Sequence, residues 1–191
     1  MNLSKDKIKF FIIIKENSER IKNKNFRTLN KMPLYMNLVN ELIKENLYID
    51  TDSDKIFNHI NKLNKKNIVC YKRDKKYIEL EKSKKFKISP VYLLIQNFLD
   101  NYCNDNDIIV TTHVTSPFIK KNTIYNAIEY LRRGYDSVSA ATLHYEFGLL
   151  KNKKKYNRIN FNEKIVNKTQ DLNPVILLNG VFFIFTKKSF L

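Results

Sequence analysis

The chain has 191 residues, of which 35 are Lys or Arg and 19 Asp or Glu, for a formal charge of +16. Its 43% hydrophobic and 13% aromatic content supports one globular domain with a sizeable core, and the basic excess favours anionic partners such as nucleotides, nucleic acid or an acidic membrane surface. Two cysteines, Cys70 and Cys103, exclude a disulfide framework or a zinc pattern, and no run approaches the ~18 apolar residues of a membrane span. A reducing, cytoplasmic setting is the expectation, because the short apolar run near the N-terminus has no small-residue cleavage site behind it. The charge is diffuse, and surplus Lys and Asn beside Ile is also what an AT-rich coding sequence writes onto any surface.

The run Ile8 to Ile14 is β-branched and aromatic, as a central strand covered on both faces requires. Past Ile14 the chain turns polar at once, with Lys15, Arg20, Lys22, Lys24 and Arg27 interleaved with Asn17, Ser18, Asn23 and Asn25. Open α/β sheets place ligands at the carboxyl ends of their strands, so this loop is read as a nucleoside triphosphate site. An ordinary solvated connection has the same composition. Leu34, Leu38 and Leu42 set a helical period over Pro33 to Glu45, with Pro33 in the first turn. A second strand, Leu47 to Asp50, runs into Thr51-Asp52-Ser53, where Asp52 or Ser53 can cap a helix over Asp54 to Lys65.

A third strand, Ile68 to Tyr71, ends at Lys72-Arg73, and Asp74 to Lys87 has no clear period and reads as a mobile basic loop. Ser89-Pro90 opens an apolar helix through Tyr102, with Leu94, Ile95, Phe98 and Leu99 toward the core. Ile108 to Val110 is a buried strand followed by His113 and the turn Thr115-Ser116-Pro117, in which Ser116 has a hydroxyl for a free amide. The next helix spans Thr123 to Arg133, and a strand follows from Asp136 to Thr142. His144 to Asn167 is polar, with Lys151 to Lys155 at a loop tip, and a last strand follows Asn179-Gly180. Strands alternating with helices of about a dozen residues imply βαβ crossovers, hence an α/β fold with a mostly parallel sheet.

Several short patterns, in one order along nearly the whole chain, resemble the acylneuraminate cytidylyltransferase family, the CMP-sialic acid and related CMP-sugar synthetases. They are Lys15-x-Asn-Ser18-x-Arg20-Ile21-x-x-Lys24-Asn25, the segment Ile49-Asp50-Thr51-Asp52-Ser53, Thr115-Ser116-Pro117, Asp136-Ser137-Val138, Lys168-Thr169-Gln170-Asp171-Leu172 and Asn179-Gly180. Lys15 and Lys168 stand where arginine is usual, Asp50 where serine is usual and His113 where glutamine is usual. The first loop lacks the family's glycines, which leaves its backbone less free to approach phosphate. The resemblance implies a three-layer α/β/α nucleotide-diphospho-sugar transferase-like fold in a single domain over 1–191, with 144–178 as an arm exchanged across a homodimer.

It also implies a reaction in which CTP and an acidic 2-keto-3-deoxy sugar give CMP-sugar and pyrophosphate. Cationic groups that position and neutralise the phosphates are central to such a step. By resemblance, Lys24 and Arg20 are the catalytic candidates on the triphosphate, joined by Lys15. Ser18 and Asn25 position the nucleotide, and Arg73 and Ser89 serve its base or ribose. His113, Ser116, Lys168, Gln170 and Asn179 fall on the sugar side, Lys168 suiting a sugar carboxylate. Magnesium is the implied cofactor, but its usual Asp-x-Asp motif lies downstream of the Asn-Gly strand and does not occur before Leu191, so the metal ligands stay unknown. The chain is then a fragment or a naturally short protein. Two other readings remain open: a CTP-binding protein of this fold without catalysis, and a basic RNA-binding module, against which stands the absence of an aromatic ribonucleoprotein motif or a GxxG loop.

Overall fold

A computed structural model describes residues 7–18, 20–83, 85–162, 164–165 and 168–190. The strands are β1 Ile8–Ile14, β2 Thr28–Leu29, β3 Met32–Pro33, β4 Asn46–Thr51, β5 Ile68–Lys72, β6 Ile108–Thr112, β7 Ser137–His144, β8 Leu149–Asn152, β9 Lys155–Arg158 and β10 Val175–Thr186. The helices are α1 Leu34–Glu41, α2 Asp54–Lys62, α3 Lys75–Ser83, α4 Pro90–Tyr102, α5 Lys121–Arg132 and α6 Lys187–Phe190. Contacts divide the chain into two compact units, one of residues 1–138 with 181–191 and one of residues 139–180.

The main sheet has the order β5-β4-β1-β6-β10-β7. β1 runs parallel to β4 and β6, β4 runs parallel to β5, and β10 returns antiparallel to β6. In the larger unit, alternation along β1 sends its side chains to opposite faces. Phe11 stacks on Phe98 of α4 with ring centroids 4.3 Å apart, in a cluster with Leu99, Ile109 and Phe185. Phe10 faces the other way, 6.4 Å from the ring of Tyr125 on α5. Helices therefore cover both faces, and the α/β/α layering is as the sequence implied.

Local chemistry ends the helices. Ser53 caps α2 by accepting from Ile56 N at 3.4 Å, and Asn64 leaves it in the left-handed conformation with φ 49°. Arg133-Gly134-Tyr135 closes α5 as a Schellman motif, with Gly134 N donating to Leu131 O and Tyr135 N to Tyr130 O. Gly134 sits there at φ 96°, a conformation costly for any residue with a Cβ.

One segment departs from the sequence reading. Residues 74–87 were expected as a loop, yet α3 occupies Lys75–Ser83. The helix buries no side chain fully; its three apolar residues, Tyr77, Ile78 and Leu80, are half-buried in a short, charged stretch too brief for periodicity to stand out. Good helix formers and a first turn closed on Asp74 O hold it.

The smaller unit contains the β8–β9 hairpin, whose two-residue turn places Lys153 at φ 52°. Lys151 to Lys155 is thus a hairpin tip, as its composition implied. The Asn160 side chain stitches the unit together: its carbonyl accepts from Gly148 N at 2.8 Å, and its amide donates to Glu146 O at 2.9 Å and to Asn173 O at 2.8 Å.

Candidate active site

Strand register decides what emerges at the carboxyl edge of the larger unit's sheet. Ile14 pairs with Thr51, Thr51 with Lys72, and Ile12 with Thr112, so Lys15, Asp52, Arg73 and His113 all leave their strands on one edge. Three of these were singled out from sequence for ligand contact. Parallel pairing brings them together across a span of about 100 residues.

The turn after β1 is held from two sides. Asp52 Oδ1 accepts from Glu16 N at 2.6 Å, and the Asn25 amide donates to Lys15 O at 2.6 Å. Asn25 is buried, and its Oδ1 has no partner among the described residues. Between Ile21 and Arg27 the chain closes a 3-10 turn, with Lys24 N donating to Ile21 O at 3.2 Å and Arg27 N to Lys24 O at 3.2 Å. Asn23 enters that turn at φ 53°. Asparagine tolerates this left-handed geometry better than most residues, so it does here what the missing glycine does elsewhere.

Lys24 lies close enough to His113 to act on its charge. Burial, reinforced by the Lys24 ammonium, holds the His113 imidazole below its ordinary 6.5. The ring is therefore mainly neutral at neutral pH and offers one donor and one acceptor nitrogen. The turn after it is closed by backbone, Ser116 N donating to His113 O at 3.0 Å. The Ser116 hydroxyl makes no hydrogen bond among the described residues, contrary to the capping role expected of it.

Arg73 is enclosed, with a side chain 0% exposed. Its Nε donates to Asp50 Oδ1 at 2.6 Å and its Nη1 to Glu81 Oε2 at 3.4 Å, while Nη2 is buried with no partner among the described residues. Burial pushes the Asp50 carboxyl above its ordinary range, and Arg73 only partly offsets this. Glu81 also pairs with Lys15 Nζ. Sequence reasoning missed Glu81, since the helix that presents it is short and mostly charged and buries no residue fully. It treated Asp52 as a helix cap and Asp50 as a replaced serine, and adjacent positions on paired strands were the only signal linking Asp50 to Arg73.

The remaining candidates are placed but not gathered. Arg20 is exposed and makes no ion pair among the described residues, and Ser18 is half-buried without a hydrogen bond among them. Ser89 occupies the N-cap position of α4, but its side chain forms no capping bond. The other end of α4 is tied by Lys187 Nζ to Leu99 O and Cys103 O, both at 3.0 Å, so that end lies at the amino edge. Thirteen residues of helix therefore set Ser89 roughly 20 Å away, on the carboxyl side. Lys168, Gln170 and Asn179 belong to the smaller unit; the first two are exposed, and the Asn179 amide donates to Thr142 Oγ1 at 3.2 Å.

Among the described residues no group of three or more His, Cys, Asp or Glu is arranged to hold a metal. Each edge carboxylate is engaged already, Asp50 and Glu81 by cations and Asp52 by an amide. The described residues therefore do not assemble a magnesium seat. Burial pushes the Cys70 and Cys103 thiols up to about 12, so neither supplies a thiolate. What the edge offers is a concentration of fixed donors: Lys15, Lys24, a neutral His113 and the enclosed Arg73. Such an array suits a polyanion whose charge must be placed and neutralised.

Comparison with known proteins bears on which polyanion. The sequence model of a family described as Cytidylyltransferase matches residues 12–171. Among curated proteins none matches the sequence. Among solved structures, a CMP:2-keto-3-deoxy-manno-octonic acid synthetase complexed with CTP is similar with a TM-score of 0.59 at 8% identity, over 96% of this chain and 75% of that one. A 4-diphosphocytidyl-2C-methyl-D-erythritol synthase from Anaerococcus prevotii gives 0.61 at 12%, over 96% and 73%. A cytidylyltransferase from Leptospira borgpetersenii gives 0.53 at 13%, over 96% and 62%. At these identities the likeness is one of fold.

Proposed function

Because this chain belongs to the cytidylyltransferase family, we propose that it transfers CMP from CTP to an acidic 2-keto-3-deoxy sugar of the sialic acid type, releasing pyrophosphate. The observation that carries this reading is the anchored turn after β1, which sets Lys15 and the Asn25 side chain at the carboxyl edge and Lys24 within electrostatic reach of His113. In the reaction a sugar hydroxyl attacks the α-phosphorus and the phosphorus–oxygen bond to pyrophosphate breaks. Lys15, Arg20 and Lys24 neutralise the phosphate chain, and Ser18 and Asn25 position the nucleotide. Arg73 and Ser89 serve the base or ribose side. His113, Ser116, Lys168, Gln170 and Asn179 face the sugar, the Lys168 cation answering its carboxylate. The printed substrate of one structural relative, a 2-keto-3-deoxy sugar acid, accords with this choice.

The same reading includes a homodimer. The smaller unit exposes Leu149, Leu150, Tyr156, Ile176, Leu177 and Leu178, each at least 50% accessible, and such large apolar side chains in water suit a surface that a partner covers. Their positions span the segment 144–178 expected as an arm. No helix among the described residues is long and apolar enough to cross a membrane, and a cytoplasmic site, where CTP is made, is part of the proposal.

A thermal-shift series with CTP, ATP, GTP and UTP tests the nucleotide. A ligand bound only by the folded state raises the melting temperature, and the expected result is a rise for CTP above the other three. Equal shifts for all four, or none, would sink the cytidine assignment, and pyrophosphate release with a panel of keto-acid sugars then identifies the acceptor.

A further inference from the structure

One carboxylate sits among the cations of the site without a role in the reaction. Glu81 reaches Lys15 Nζ with one oxygen and Arg73 Nη1 with the other, the latter at 3.4 Å. Lys15 follows β1 and Arg73 follows β5, and β4 lies between those strands, so a single side chain bridges the first loop to the far side of the edge. The helix that carries it, α3, buries no side chain. Its Tyr77, Ile78 and Leu80 are only half-buried and the helix lies against α4, so the two charge pairs are its tie to the cationic edge. Arg73 keeps Nη2 enclosed and unpartnered among the described residues, so its guanidinium has a donor left to give.

A carboxylate held by two cations occupies the place that another anion would take on the same cations. We propose that Glu81 fills the subsite between Lys15 and Arg73, and that the nucleotide displaces it, its phosphate chain taking Lys15 and its base or ribose side taking Arg73, releasing α3 from the edge. The inference rests on the reading of this edge as a CTP site. The pair with Lys15 is weak because the lysine side chain is 41% exposed, and a triphosphate brings several charges against one. Displacement then opens the enclosed guanidinium to ligand, and α3 works as a lid whose latch is a stand-in for substrate.

The test compares Glu81→Gln, which keeps the shape and removes the charge, with Glu79→Gln, an exposed change of the same kind on the same helix. Amide hydrogen exchange over residues 75–83 is read first in the ligand-free proteins, and CTP affinity is then measured by calorimetry. The expected results are faster exchange of α3 in Glu81→Gln alone, and CTP binding about five- to tenfold tighter than in the wild type or Glu79→Gln. Added CTP should also speed α3 exchange in the wild type. Unchanged exchange and unchanged affinity in Glu81→Gln overturn the latch and leave the CTP site standing. Weaker CTP binding in that variant overturns it too, because Glu81 then holds the cations for the ligand. If no protein binds CTP, the functional reading falls, and the ligand-free exchange alone decides the latch.

Discussion

The two ends of the larger unit's sheet use the same residue types for opposite purposes. At the amino edge Lys9 Nζ pairs with Asp107 Oδ2 at 2.7 Å and caps the Tyr102 carbonyl, and Lys187 Nζ takes the carbonyls of Leu99 and Cys103. Burial works against the Lys9 ammonium, but Asp107 outweighs it and leaves the lysine above its ordinary range. These cations are spent on carbonyls at the end of α4, where a helix runs short of amide donors. At the carboxyl edge Arg73 and Asn25 are buried more deeply than these part-buried lysines, yet each keeps one polar atom without a partner among the described residues. A buried group left short of a hydrogen bond is a cost to the fold, so an edge that keeps two of them is shaped for something other than stability.

That contrast can be broken by substitution. The largest effect is expected for Asp50→Asn, which leaves the enclosed Arg73 without its closest countercharge. Loss of about 3–5 kcal/mol in a denaturant titration is the expected outcome, and a loss under about 1 kcal/mol would show that Arg73 is not held as described. Lys24→Ala comes next. CTP affinity should fall by about ten- to a hundredfold, while folding stability stays within about 0.5 kcal/mol, because the residue lies on a half-buried turn. Lys9→Met makes the complementary change at the other edge: stability should drop by about 2 kcal/mol, since Asp107 is left nearly enclosed, and the CTP-induced thermal shift should be untouched.

The smallest effect sharpens the picture of His113. Its imidazole is held below 6.5, so as pH falls through that value the unfolded chain takes up the proton before the folded one does. Stability is thus retained above about pH 6.5 and eroded below it. His113→Gln should flatten the decline of melting temperature between about pH 7 and 5 and leave the neutral-pH value nearly unchanged. A steeper decline in the variant would mean that the ring is protonated in the folded protein. For the proposed arm, the wild type should sediment as a dimer and Leu177→Lys as a monomer; a monomeric wild type would sink the dimer, and a variant that stays dimeric would move the interface elsewhere.

Much of the site was legible before any coordinates. Lys15, Lys24 and Asn25 stood out because a polar cationic run follows an apolar strand, and a strand end is where a sheet presents a loop. His113 was legible for the same reason, one residue past β6. Ser89 and Ser116 were placed correctly, at a helix start and a turn, but their hydroxyls do not make the bonds that position predicted. Glu81 was invisible, because a short, charged helix that buries no residue fully looks like a loop.

The sequence by itself determined the alternation of the main-sheet strands with α1, α2, α4 and α5, the layering and the polar turn behind the first strand. Those follow from local periodicity and residue type, which act over a few neighbours. Only the tertiary structure decided that Arg73 lies enclosed against Asp50, that Asn25 anchors Lys15, and that Glu81 sits on the cations assigned to substrate. These pairings depend on strand register and on where a weakly seated helix comes to rest. Such long-range geometry leaves no periodic trace in the chain.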